Sequence, residues 1–235
     1  MTLHVGTSGF AYKEWKPGFY PADLPAKDFL RYYATRFTSV EINNTFYRAP
    51  TDEVVGKWAE QTPETFAFTL KAPQRITHIK RLREVEEPLT SFLRTARTLD
   101  DRLGVVLFQC PPNLKRDDAL LADFLALLPG APFRFALEFR NPTWEDPAVF
   151  DAMAANRVAW CVADTDEKPA VMRRTADDFA YLRLRGLDYT DEDLARWAKE
   201  VAGVLGDGGD AFVYFKHEDD PSAIRYARRI GEILS

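Results

Sequence analysis

Four segments of this chain alternate apolar and polar residues and finish on a polar or charged side chain, and few folds can use that pattern. In Thr38-Ser39-Val40-Glu41-Ile42-Asn43, Val40 and Ile42 share one face while Glu41 and Asn43 share the other, because strand side chains alternate with period two. Phe133-Arg134-Phe135-Ala136-Leu137-Glu138-Phe139-Arg140 repeats the arrangement, with Arg134, Glu138 and Arg140 opposite the phenylalanines. So do Phe66 to Lys71 and Tyr181 to Arg185. Each strand leads into a loop and usually a helical stretch. A barrel of parallel strands wrapped in helices needs this: the apolar face meets the helices, and the other face looks into the lumen, where the C-terminal strand ends form the reaction site.

The rest of the chain supplies the parts. Strands are expected at 3–6, 40–43, 66–71, 103–109, 133–138, 158–163, 180–184 and 211–215. Helical spacing is expected at 26–36, from Asp52 through Ala59, 90–99, 118–128, 146–156, 191–205 and 221–234. The irregular polar stretch 164–178 stands where a helix is due. The fold class is α/β: a single TIM-like (β/α)8 barrel over 1–235, with the helix between strands six and seven missing or shortened. The length of 235 residues suits one such domain. The first loop, Gly6-Thr7-Ser8-Gly9, lacks the dinucleotide-binding glycine pattern of a doubly wound sheet.

Composition narrows function by exclusion. The formal net charge of -5 gives no bulk attraction to nucleic acid or anionic membranes. No apolar run approaches the roughly 20 residues needed to cross a bilayer, and the first residues read as a strand and not as a signal peptide. Cys110 and Cys161 lack Cys-x-x-Cys spacing and read as packing residues in a reducing cytoplasm. The three histidines, His4, His78 and His217, have no metal-ligand spacing. No cofactor or metal site is therefore expected; carboxylate-bound Mg²⁺ is the weaker alternative.

Several motifs carry a family resemblance. They are Gly6-Thr7-Ser8-Gly9-Phe10-Ala11-Tyr12 with Trp15 and Phe19-Tyr20-Pro21, and Glu41-Ile42-Asn43-Asn44-Thr45-Phe46-Tyr47 with Pro50. Further on come Lys71-Ala72-Pro73-Gln74-Arg75-Ile76-Thr77-His78, Gln109-Cys110-Pro111-Pro112-Asn113 and Glu138-Phe139-Arg140-Asn141-Pro142-Thr143-Trp144. In this order, over nearly the whole chain, they resemble the YecE-like family, domain of unknown function 72. The resemblance implies a TIM-like barrel and supplies no reaction. Two places depart from the family pattern. Arg183-Leu184-Arg185-Gly186 stands where Arg-Leu-His-Gly is usual, and Phe215-Lys216-His217 stands where Phe-Asn-Asn is usual. Both changes add positive character to the mouth.

Assigning polar strand faces to the lumen gathers Glu41, Asn43, Lys71, Glu138, Arg140, Asp164, Arg183, Arg185 and Lys216. Cations outnumber anions there, which points to a small polar, anionic ligand containing phosphate, carboxylate or sugar. Glu41 and Glu138 are candidates for proton transfer. Lys71 could form a Schiff base or anchor a phosphate, and His78 could reach the mouth as a general acid or base. Asn43, Tyr47, Arg140, Trp144, Asp164, Arg183, Arg185 and Lys216 are expected to bind substrate. The competing structural reading is a ring of ion pairs, such as Glu41 with Lys71 and Glu138 with Arg183. The alternative function is a nucleic-acid-binding module using Lys80, Arg81, Arg83, Arg173 and Arg174 with mouth aromatics such as Trp15 and Tyr20. Oligomeric state is not legible.

Overall fold

Eight short segments, some alternating and others such as Val158–Asp164 almost continuously apolar, are separated by helices or long loops and form eight parallel strands. The computed structural model describes residues 1–216 and 221–235, so His217 lies outside the described residues. The strands are β1 (Leu3–Thr7), β2 (Ser39–Ile42), β3 (Ala67–Lys71), β4 (Leu103–Gln109), β5 (Phe135–Glu138), β6 (Val158–Asp164), β7 (Phe179–Leu184) and β8 (Asp210–Phe215). Each pairs in parallel with its neighbour, in the order β1-β8-β7-β6-β5-β4-β3-β2. The helices are α1 (Phe29–Ala34), α2 (Asp52–Glu60), α3 (Glu86–Ala96), α4 (Asp118–Ala126), α5 (Pro147–Ala155), α6 (Asp191–Gly206) and α7 (Ser222–Ile233). All eight expected strands are present.

The differences in the helices are local. In α2 the cap is Thr51, whose hydroxyl accepts from the Val54 amide at 3.3 Å, and Asp52 is the first helical residue. The third helix begins at Glu86, four residues before Thr90, because Pro88 falls in the first turn, where a missing N–H breaks no helical bond. Among the described residues no helix joins β6 to β7. The connection runs as a strap along β6 instead: the Thr175 hydroxyl accepts from the Trp160 amide at 2.7 Å and donates to the Val158 carbonyl at 2.6 Å.

The apolar strand faces, with residues such as Val40, Ile42, Phe68, Leu137 and Leu182, pack under the helices. Inside, the lower lumen is filled by Val105, Leu107, Cys161, Tyr181, Phe212 and Tyr214. The barrel is therefore a solid core and not a pore, and polar groups collect only above it.

Closure between β1 and β2 is made largely by hydroxyl groups. Ser8 and Glu41 form a single parallel bridge. Below it the Thr38 hydroxyl accepts from the Val5 amide at 3.2 Å and donates to the Leu3 carbonyl at 3.2 Å. The Tyr33 hydroxyl accepts from the Thr7 amide at 2.8 Å and donates to the Ser39 carbonyl at 3.2 Å. Gly6 permits this approach, since a Cβ there would lie 1.9 Å from the Ser39 carbonyl oxygen.

Candidate functional site

Parity on each strand decides which side chains meet above the lumen core. Glu41, Lys71, Gln109, Glu138 and Arg183 all occupy inward positions at or near C-terminal strand ends, and they form one connected layer. Arg183 stands at its centre, 2% exposed. Its Nε donates to Glu41 Oε2 at 2.9 Å, its Nη2 to Glu41 Oε1 at 2.8 Å, and its Nη1 to Glu138 Oε2 at 2.5 Å. The Tyr181 hydroxyl donates to Glu41 from below. On the other side Arg185 Nη2 donates to Glu138 Oε1 at 2.7 Å. Gln109 Nε2 donates to the same oxygen at 2.9 Å, which leaves Gln109 Oε1 to accept from Lys71 Nζ at 2.7 Å.

This geometry sets the protonation states. Burial pushes the Glu138 carboxyl up, but the charges of Arg183 and Arg185 outweigh it and hold the group at about 2. Burial likewise raises Glu41, and the Arg183 charge with hydrogen bonds from Arg183, Tyr181 and Ser8 brings it below its ordinary value. The acid–base role expected for Glu41 and Glu138 does not fit this arrangement. Both are ionised near neutral pH, and their oxygens are taken up by internal donors. The ion-pair reading describes them better, with one change: Glu138 pairs with Arg183 as expected, but Glu41 also pairs with Arg183 and not with Lys71.

Lys71 differs from its neighbours in the layer. Its ammonium makes no ion pair with a carboxylate among the described residues. It lies 4.2 Å from the centroid of the Phe46 ring and donates to a neutral amide. Burial, followed by the Arg183 charge, brings it down from 10.5 to about 8. Thr45 places Phe46 here, its hydroxyl bonding the Lys71 carbonyl at 2.6 Å and the Ile42 carbonyl at 2.9 Å. His78 sits on a π-helical turn, Arg75–Ile79, edge-on to Phe46 at 4.8 Å, with Nδ1 2.8 Å from the Thr77 hydroxyl. Burial and the charges of Lys71, Arg140 and Arg81 lower its pKa.

The other expected binding residues divide. Arg140 is exposed on the rim after β5 and makes no ion pair with a described residue. Arg140, Lys168 and Arg185 line a cleft of about 460 Å³ beside Glu138, together with Asp166 and Glu167. Asn43 lies beside Arg183, its Oδ1 3.5 Å from Nη2. Lys216 follows β8, close enough for its charge to act on Lys71. Tyr47 is 75% exposed on the edge of Phe46.

Three residues do not belong among ligand contacts. Arg183 is buried with its donors spent on Glu41 and Glu138. Trp144 is fully buried, stacked on Phe139 at 4.1 Å, with Nε1 donating to the Leu114 carbonyl at 2.8 Å. Asp164 has the outward parity of β6; it accepts from the Tyr189 hydroxyl at 2.7 Å and the Ala170 amide at 2.7 Å, and so braces the strap. Gln109 and Tyr181 were missed. Both lie at inward positions, two residues from or level with the charged layer, so the same parity rule would have found them.

The groups suggested for nucleic acid do not form one surface. Lys80, Arg81 and Arg83 follow β3 at the mouth, whereas Arg174 bonds Asp207 at 2.7 Å in the turn before β8, at the opposite barrel end. Arg173 lies over the Phe150 ring, and Trp15 and Tyr20 are buried together in loop packing. Among the described residues no group of three or more His, Cys, Asp or Glu could hold a metal ion. Cys110 and Cys161 are buried, their thiols pushed up first by burial and then by the Glu138 charge. No helix of the described residues is long and apolar enough to cross a membrane.

Eight parallel strands with helices outside, a packed lower lumen and a charged layer at the C-terminal ends define a TIM-like barrel. The chain belongs to the family described as protein of unknown function DUF72, whose model matches residues 4–235. It is 39% identical over 114 residues to the UPF0759 protein YecE of Escherichia coli K12, a match covering 48% of this chain and 42%, less than half, of that relative. It is 24% identical to the UPF0759 protein YunF of Bacillus subtilis, covering 99% of this chain and 94% of YunF. The crystal structure of a DUF72 family protein from Thermotoga maritima superposes with a TM-score of 0.84 at 26% identity, over 100% of this chain and 99% of that one. One from Enterococcus faecalis gives 0.82 at 19% identity, over 99% and 95%, and shares the fold.

Proposed function

We propose that the protein is an enzyme of the cytoplasm that binds a small anionic molecule, bearing phosphate or carboxylate, at the C-terminal mouth of its barrel. The observation that carries this reading is the charge balance of the layer. Both buried carboxylates are satisfied by Arg183, and Arg185 adds a second cation to Glu138. Arg140 on the cleft wall and Lys71 beside Gln109 have no carboxylate ion-pair partner among the described residues, so cations remain at the mouth that no ion pair there neutralises, with Asp166 and Glu167 as the remaining acidic groups of the cleft wall. Positive charge in a half-enclosed site is costly unless a ligand completes it. Arginine at the cleft wall suits planar oxyanions. Two buried, unpaired cysteines fit a reducing compartment.

A thermal-shift series with inorganic phosphate, citrate and triose phosphates tests the reading. A ligand at a hundred times its Kd stabilises the fold by about 2.7 kcal/mol, which for this size is a Tm rise of about 5–10 °C. Arg140→Ala and Arg185→Ala should each remove most of the rise. A rise indifferent to both substitutions, or no rise with any anion, overturns the assignment.

A further inference from the structure

We infer that Lys71 is a nucleophile that forms an imine with a carbonyl group carried by the bound anion, an inference that rests on the anion-binding reading above. The case begins with position. Lys71 is the last residue of β3, points into the mouth and is only half-buried, so its amine is both held and reachable. Its hydrogen-bond partner is chosen by the network. Glu138 holds Gln109 through its amide nitrogen, so the neutral Oε1 faces Lys71. A neutral acceptor orients the amine without stabilising its protonated form as a carboxylate would. The two carboxylates that could have done so are engaged by Arg183 and Arg185. The Phe46 ring covers one side of Nζ.

The chemistry follows from that setting. With Lys71 brought down to about 8, about one amine in ten is neutral at pH 7. The amine lone pair attacks the carbonyl carbon, and the C=O π pair moves to oxygen, which takes up a proton. The carbinolamine then loses that oxygen as water while the nitrogen lone pair forms C=N. In sum, amine, carbonyl and one proton become a protonated imine and water, with no oxidant or reductant. A protonated imine draws electrons from the adjacent carbon, so bonds α to the former carbonyl become labile. The substrate class is therefore an anionic aldehyde, ketone or keto acid.

The test uses the intact protein with sodium cyanoborohydride and one of three probes: dihydroxyacetone phosphate, pyruvate or uncharged dihydroxyacetone. Intact mass and peptide mapping should find one reduced adduct per chain, on Lys71, forming at least about tenfold faster with the anions than with dihydroxyacetone and absent from a folded Lys71→Arg variant. Equal rates on Lys71 for charged and uncharged probes would keep the nucleophile and remove the anion reading. Phosphate stabilisation that depends on Arg185, without labelling of Lys71 above exposed lysines such as Lys13, would keep the anion site and overturn the imine. Trace acetylation between pH 6 and 11 gives a ligand-free check: the Lys71 midpoint should lie at about 8, and a midpoint at 10.5 overturns the proposal.

Discussion

Arg183 shows how one side chain can fix the character of a whole layer. It lies between two carboxylates that sit on β2 and β5, and it bonds both. Removing it leaves two buried anions facing each other, so Arg183→Met should destabilise the protein by about 3–5 kcal/mol in urea unfolding. Adding Glu41→Gln and Glu138→Gln should recover most of that loss, since the penalty comes from uncompensated charge and not from lost volume. The same pairing predicts the acid limb of stability. Glu138 has a folded pKa of about 2 against an ordinary 4.5, so its contribution is complete above pH 4.5. As pH falls from 4.5 toward 2 the unfolded chain takes up a proton that the folded chain refuses, and stability drops. Thermal unfolding at pH 6, 4.5 and 3 should show Tm holding across the first interval and falling across the second, a fall reduced in Glu138→Gln.

At the scale of elements, the hydroxyls of Tyr33 and Thr38 take the place of a ladder between β1 and β2. Tyr33→Phe removes the partner of the buried Thr7 amide and should cost about 1–3 kcal/mol, with hydrogen exchange at Thr7 accelerated more than at other β1 amides. Unchanged exchange at Thr7 would mean that the hydroxyl is not its operative partner. The strands were legible in the sequence because alternation is a local signal: Val40, Glu41 and Ile42 declare their faces without help from the rest of the chain. The strap after β6 was legible as a missing helix for the same reason, since polar residues without helical spacing cannot build an amphipathic face. Partner choice was not legible. Strand parity places Glu41, Lys71 and Arg183 in one layer, but which cation reaches which anion depends on strand stagger and side-chain length, and these are set by closure of the barrel. Asp164 and Trp144 were misplaced for different reasons: the parity of β6 turns Asp164 outward, toward Tyr189, whereas Trp144 lies in a loop turn after β5, where parity gives no direction, and stacks on Phe139.

For the molecule as a whole, the barrel joins its earliest strand to its latest. The full ladder of β1 is with β8, from Leu3 opposite Ala211 to Thr7 opposite Phe215, while on its other side it has the Tyr33 and Thr38 hydroxyls and a single bridge to β2. Pairings this distant in sequence carry a large loop-closure cost and slow folding. A ribosome making this chain releases β1 first and its ladder partner about two hundred residues later, roughly 10–40 s at ordinary elongation rates. During that interval β2 to β7 can assemble as an open curved sheet, with Glu41 at one margin and Arg183 at the other. The last strand to emerge then does two things at once: it gives β1 its ladder, and it brings the margins close enough for the buried cation to meet its second anion. Completion of the sheet and completion of the charged layer are thus a single late event, and a nascent chain stalled before β8 presents two unpaired strand margins to chaperones.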